Sequence, residues 1–439
     1  MSESVKLPVS IQFIFRSLKY RNYRLFFYGQ SLSLIGTWMQ RIAIPWLIYR
    51  MTGSAMLLGI SGFAGQIPSL FLSPFAGVIT DRWNRYNVLI WAQVLSMVHA
   101  FLLAWLVLSD NILIWQIILL SFLIGCISAF EIPARHSFVV EMVEKKEDLG
   151  NAIALNSLMF NGARLIGPSI AGILLAATGE GICFLINGIS FMCVIISLLM
   201  MKIKKKDPVT KKSDIGKEFR EGFAYVFGFL PIRHIILLLA LVNAMVMFYS
   251  TLMPVFAKEI LGGDSHTYGF LMGAAGMGAL MGALFLASRE TVIRLGRIIP
   301  AAVLLFGTGI VVLSFSRIFS VSLIIMIFIG MGLMLQAASS NTILQTITDD
   351  DKRGRVMSFY TMAVLGTAPF GSLLAGWLAN KIGTPFTMMT GGVISIAGAF
   401  VFFTKLSELK QIVRPVYVKM GIIPEVAKGI QNASERELP

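Results

Sequence analysis

The stretch GVITDRWNRYNVL at residues 77–89 joins two apolar runs, 56–79 and 87–108, through a few polar residues, among them Asp81, Arg82, Asn84 and Arg85. Each run meets the requirement of about 20 mostly apolar residues for a helix that crosses a bilayer. Outward from this hairpin the same pattern recurs at 25–49, 112–130, 152–178, 181–201, 233–257, 266–287, 297–316, 320–341, 356–380 and 385–404, which gives twelve spans. The first run has no small-residue cleavage site after it and reads as a retained span, not a leader. Composition agrees: 56% of the 439 residues are hydrophobic and 14% charged, against about 25% charged in soluble domains. A soluble enzyme, a disordered chain and a secreted disulfide scaffold are all excluded. Cys126, Cys183 and Cys193 lie inside apolar runs, so neither a disulfide framework nor a metal cluster is implied.

The net charge of +14 follows from topology. Of 37 Lys and Arg, 31 fall on the side that carries both termini, four (Arg50, Lys258, Arg317, Lys381) fall on the other, and Arg41 and Arg164 lie within spans. By the positive-inside rule both termini are cytoplasmic, in the inner membrane of a cell. The basic side faces anionic lipid, and nucleic acid is not needed to explain it. Residues 11–23 and 219–230 mix apolar and basic side chains and read as interfacial anchors.

The polar interruption at 202–232 divides the spans six and six, and the two parts repeat. At an offset of 204, Gly150, Gly162, Gly167, Gly172, Gly179 and Gly188 coincide with Gly354, Gly366, Gly371, Gly376, Gly383 and Gly392. Chance gives about one such pair over that length. The expected organisation is an N-terminal segment 1–24, a six-helix bundle 25–201, a basic linker 202–232, a second bundle 233–404 and a tail 405–439.

The loop at 77–89 resembles the major facilitator superfamily signature G-x-x-x-D-R-x-G-R-[RK]. Gly77, Asp81, Arg82 and Arg85 match; Asn84 replaces the usual Gly and Tyr86 the final base. Residues 129–175, 252–263 and 353–359 are similar to the exporter branch that contains the enterobactin exporter and relatives of macrolide efflux proteins. Within span five, ARLIGPSIAG at 163–172 resembles the antiporter motif G-x-x-x-G-P-x-x-G-G, with Gly167, Pro168 and Gly172 matching and Ala163 and Ala171 in place of Gly. The resemblance implies the major facilitator fold, with twelve helices in two pseudo-symmetric six-helix bundles. It also implies secondary export and a cavity lined by spans one, two, four, five, seven, eight, ten and eleven. The loop at Gly77, Asp81, Arg82, Arg85 and Arg135 is then the cytoplasmic gate, and small residues at Gly167, Pro168 and Gly172 allow close helix packing.

Charges inside the membrane are costly and face a partner or a wet cavity. Arg41 and Arg164 are therefore candidates for the substrate pathway. The neutral polar residues Gln40, Gln66, Asn156, Asn161, Asn243, Tyr249 and Gln336 join them, with interhelical hydrogen bonding as the alternative role of each. The span cores hold no Asp or Glu. Glu131, with Arg135 one turn on, is the candidate for proton coupling; Asp81 and His99 are the alternatives, and His99 reads chiefly as a packed polar residue. Nothing in the sequence calls for a cofactor, metal or catalytic pair. The expectation is a monomeric, proton-coupled exporter of a medium-sized anionic or polar-aromatic metabolite such as a siderophore. Efflux of drugs including macrolides is the alternative, and a non-transporting receptor or scaffold the rival of another class.

Overall fold

The computed structural model describes residues 15–82, 84–143, 145–202, 215–289, 295–349 and 351–420; the side chains of 73–75, 77–82, 146, 215–219 and 419 lie outside that description. The elements are α1 (Arg21–Thr52), α2 (Ala55–Arg82), α3 (Arg85–Leu108), α4 (Ile114–Glu141), α5 (Lys146–Thr178) and α6 (Glu180–Leu199). After them come α7 (Ile215–Gly228), α8 (Leu230–Ser250), α9 (Ser265–Ala287), α10 (Leu295–Phe315), α11 (Phe319–Ile347), α12 (Arg353–Leu365), α13 (Ala368–Ile382) and α14 (Thr384–Lys419). Eleven helical stretches among the described residues are long and apolar enough to cross a membrane. The twelfth, α1, spans about 48 Å at 1.5 Å per residue; Gln30, Gln40 and Arg41 dilute its apolar character. It packs along α5 and α6 as a full member of the bundle.

Some boundaries differ from those read in the sequence. Span eleven is two helices, α12 and α13, because Pro369 brings no N–H to continue the ladder and instead occupies the first turn of α13. The fourth helix runs on to Glu141, so Arg135, read as a loop residue, lies within α4. The linker contains α7, which is seated on α12: Arg355 Nη1 lies 2.9 Å from Glu221 Oε2, and Phe223 meets Phe359 at 6.2 Å.

In the N-terminal half α1 packs on α5 and α6, α2 on α4, and α3 on α4 and α6; in the C-terminal half α8 packs on α13 and α14, α9 on α11, and α10 on α11 and α14. The halves join along α5 with α9 and α2 with α13. These two seams are related by pseudo-symmetry. A Cβ on Gly172 of α5 would sit 3.0 Å from the Gly269 Cα, and one on Gly376 of α13 would sit 2.9 Å from the Gly59 Cα. The turns that follow α5 and α13 are equivalent too, with Gly179 at φ 80° and Gly383 at φ 82°, a left-handed region that favours glycine.

Candidate functional site

Between the halves lies a cavity of about 690 Å³, lined by α1, α2, α4, α5, α6, α8, α9 and α13 among others. On the side remote from the termini the halves are closed over it. Trp46 stacks on Tyr268 at 6.1 Å and 18°, and the Tyr49 hydroxyl donates to the Glu259 carboxylate. The Ser265 hydroxyl donates to the Gly172 carbonyl at 3.4 Å.

The cavity's centre is built on Trp38. The Arg41 guanidinium lies 4.9 Å from its ring centroid and that of Arg164 5.8 Å, while Phe160 meets the ring edge-on at 5.8 Å. An aromatic face attracts a cation, so Trp38 holds two guanidiniums beside one open space. Gly167 makes room for this arrangement, since a Cβ there would fall 2.5 Å from the Trp38 Cβ and 2.9 Å from the Ile35 carbonyl. Arg135, 8% exposed, adds a third guanidinium from α4. Its Nε is 3.5 Å from Glu131 Oε1 and has no hydrogen-bond partner among the described residues. Arg41 lies within electrostatic range of Arg135, Glu131 and Arg164, and Tyr249 of α8 within range of Arg164. Three guanidiniums and one carboxylate thus line the same space, with Arg135 beside Glu131 and Arg41 open to the cavity.

Gln40 and Gln66 line the same cavity with their amides already engaged. Gln40 Oε1 accepts from Asn187 Nδ2 at 2.8 Å, and its Nε2 lies 3.5 Å from His99 Nδ1. His99 Nε2 is 3.0 Å from the Leu120 carbonyl. That carbonyl only accepts, so Nε2 carries the proton and Nδ1 accepts from Gln40. This chain ties α1 to α3, α4 and α6 behind the cavity wall. Gln66 Nε2 donates to Ser372 Oγ at 3.3 Å across the seam between halves.

Tyr249 lines the cavity as well, whereas Asn156, Asn161, Asn243 and Gln336 stand away from its lining. Asn161 donates to the Ser157 carbonyl at 2.9 Å, Asn243 to the Leu239 carbonyl at 2.9 Å, and Asn156 is half-buried on α5. Gln336 is fully buried on α11, and both its amide atoms lack hydrogen-bond partners among the described residues. Pro168 reaches the cavity, and Gly172 sits at the α5–α9 seam. Trp38, Phe160 and His136 line the site without having been singled out in the sequence. A helical-spacing signal was present, because Trp38 lies three residues before Arg41 and Phe160 four before Arg164.

At the loop after α2, the side chains of Gly77, Asp81 and Arg82 lie outside the described residues. Arg85 pairs with Glu141 at 3.0 Å. The two departures from the signature have local roles: Asn84 caps α3, accepting from the Tyr86 N–H at 3.0 Å, and the Tyr86 hydroxyl donates to the Leu198 carbonyl at 3.1 Å.

The family model described as transmembrane secretion effector matches residues 14–420. The chain belongs to this family. As a transmembrane secretion effector it is a multi-pass membrane transporter of the major facilitator superfamily, not an enzyme. It is 27% identical over 391 residues to the staphyloferrin A transporter of Staphylococcus aureus, covering 88% of this chain and 97% of that protein. It is 22% identical to macrolide efflux protein A of Streptococcus pyogenes (87% and 96% covered) and 23% identical to the multidrug efflux pump Tap of Mycolicibacterium fortuitum (85% and 93%). Among solved structures, a POT family transporter in complex with 5-aminolevulinic acid superposes with a TM-score of 0.72 at 11% identity, covering 89% of this chain and 96% of that one. A bacterial homologue of the lysosomal transporter Spinster, inward-facing and unoccupied, gives 0.65 at 13% identity, covering 91% and 98%. These superpositions establish the fold alone.

Proposed function

We propose that this secretion effector exports a medium-sized anionic or polar-aromatic metabolite of siderophore-like character by alternating access, in exchange for protons, from a cytoplasmic membrane in which both termini face inward. The observation that carries this reading is the set of three guanidiniums lining one cavity, Arg41 and Arg164 against Trp38 and Arg135 beside Glu131, the one carboxylate among the described lining residues. A cavity with that balance favours anions and repels cations, and the Trp38 and Phe160 rings offer faces for an aromatic group. The similarity to a staphyloferrin A transporter points the same way.

Glu131 is the proton carrier in this scheme. The membrane potential adds an outward pull of about 2.3 kcal/mol per negative charge per 100 mV. The deciding measurement is binding of anionic, neutral and cationic ligands to purified wild type and Arg41→Ala. Anion affinity should fall at least tenfold in the variant while neutral ligands are unaffected. Tight cation binding unchanged by Arg41→Ala would instead support multidrug efflux, the reading favoured by similarity to macrolide and multidrug pumps.

A further inference from the structure

The C-terminal half holds a second cavity of about 400 Å³, separate from the central one, between α8, α10, α11 and α14. Ile235 of α8, Ile299 of α10, Ile343 of α11, and Phe402, Leu406 and Leu409 of α14 form its walls. Arg297, Lys410 and Arg414 also line it, and all three are exposed. The described residues lining it include no carboxylate. Glu408, on the same helix, is engaged by Lys405 at 3.3 Å. Arg297 and Lys410 are close enough to feel each other's like charge, which an anion would relieve.

The cavity's depth in the membrane is set by α14. Residues 384–404 carry no charge and suffice to cross the hydrocarbon core. The helix then continues to Lys419 on the side of the termini. Phe402 and Leu406 thus lie at the inner edge of the hydrocarbon, and Lys410 and Arg414 at headgroup level. In the N-terminal half Tyr23, Phe26, Phe138 and Met142 are buried in one apolar cluster at the corresponding helix ends.

We infer that this pocket holds one anionic phospholipid of the leaflet on the terminal side, with its phosphate among Arg297, Lys410 and Arg414 and part of an acyl chain against Ile299, Ile343 and Leu406. A basic pocket between helices on this side of a membrane suits an acidic headgroup, and the apolar walls suit a chain that water does not. This site is independent of the substrate reading, because none of its lining residues reaches the central cavity.

Native mass spectrometry of the full-length protein with phosphatidylglycerol, phosphatidylcholine or glycerol 3-phosphate tests it. Wild type should bind phosphatidylglycerol at least tenfold more tightly than phosphatidylcholine and bind glycerol 3-phosphate negligibly. The triple variant Arg297→Gln, Lys410→Gln, Arg414→Gln should lose the preference between the two lipids. Gly296→Leu places an apolar side chain at the lining, where a Cβ meets Leu406 Cδ1 at 3.8 Å, and it should weaken binding of phosphatidylglycerol severalfold. Equal binding of the two lipids by wild type, or an unchanged preference in the triple variant, would overturn the inference. Strong binding of glycerol 3-phosphate that ignores Gly296→Leu would reduce the site to a surface anion patch and also overturn it. Lipid binding that appears only after removal of residues 421–439 would assign the pocket to that segment, with the same consequence.

Discussion

Glu131 and Gln40 both face the central cavity, yet their surroundings give them opposite roles. Glu131 is the sole carboxylate among the described residues lining it and is faced by Arg135, Arg41 and the nearby His136. Glu131→Gln removes only a negative charge and leaves three guanidiniums unopposed. Anion binding should hold or rise, while transport in proteoliposomes loses its response to an imposed pH gradient. Persistent gradient-driven transport would move the coupling site elsewhere. Gln40, by contrast, has both ends of its amide committed, to Asn187 and to His99. Gln40→Ala orphans buried polar atoms on α3 and α6, a loss of about 1–3 kcal/mol. It should lower the melting temperature with little change in ligand affinity, which a thermal melt and a binding isotherm would separate. The sequence makes Arg41 and Arg164 stand out because charge is rare in a span. It is silent on Trp38, since an aromatic residue in an apolar helix looks the same whether it faces lipid, core or cavity. Polar candidates such as Asn161 and Asn243 were legible as residues but not by role, because a bond to the carbonyl four residues back leaves no trace in spacing.

At the scale of elements, helix number and order are readable because twenty apolar residues have few other uses, and α1 is the least apolar because its polar face is the cavity wall. Helix ends are less readable. A helix that leaves the bilayer turns polar without stopping, which is why Arg135 reads as a loop residue and lies inside α4. The short 3-10 turn Arg16–Lys19 is a second case, for its position depends on a distant residue, Asp148, in the first turn of α5. Asp148 is met by Arg16 at 3.1 Å and Lys19 at 2.7 Å, and accepts from the Tyr20 hydroxyl at 2.7 Å. Acidic side chains are favoured at a helix N-terminus, so the tether is stabilised from both directions. Asp148 in turn holds Lys19 above its ordinary pKa of 10.5. The raised value means that this contribution is intact below the ordinary lysine value and is lost only as pH climbs through the raised one. Asp148→Asn should release the N-terminal segment, seen as faster proteolysis ahead of α1 at neutral pH with the bundle still folded. Unchanged protection would show that Ser17, whose hydroxyl donates to the Asp148 backbone carbonyl and whose N–H donates to Asn151 Oδ1, holds the segment alone.

For the whole molecule, the two seams between halves pose a question of mechanics. The α5–α9 crossing at Gly172 and Gly269 and the α2–α13 crossing at Gly59 and Gly376 lie on the side remote from the termini, where Trp46, Tyr49, Tyr268 and Glu259 also meet. Packed interiors are bistable and not continuously deformable, so two rigid halves that part at one crossing should part at the other. A methyl group on Gly59 would fall 2.7 Å from the Ser372 carbonyl and 3.0 Å from the Gly376 Cα. Both are backbone atoms that no rotamer change can move aside. Gly59→Ala should therefore pry the α2–α13 seam open and shift the population toward opening on the remote side. The readout is placed at the opposite seam: Tyr268→Cys, 2% exposed in the closed arrangement, in a background lacking Cys126, Cys183 and Cys193. Rigid-body rocking predicts that Gly59→Ala raises labelling of Cys at that position by a membrane-impermeant thiol reagent severalfold, together with a fall in transport. Labelling that stays at its starting rate while Gly59→Ala impairs transport would mean that each seam moves alone, and that the halves bend where they were taken to rock.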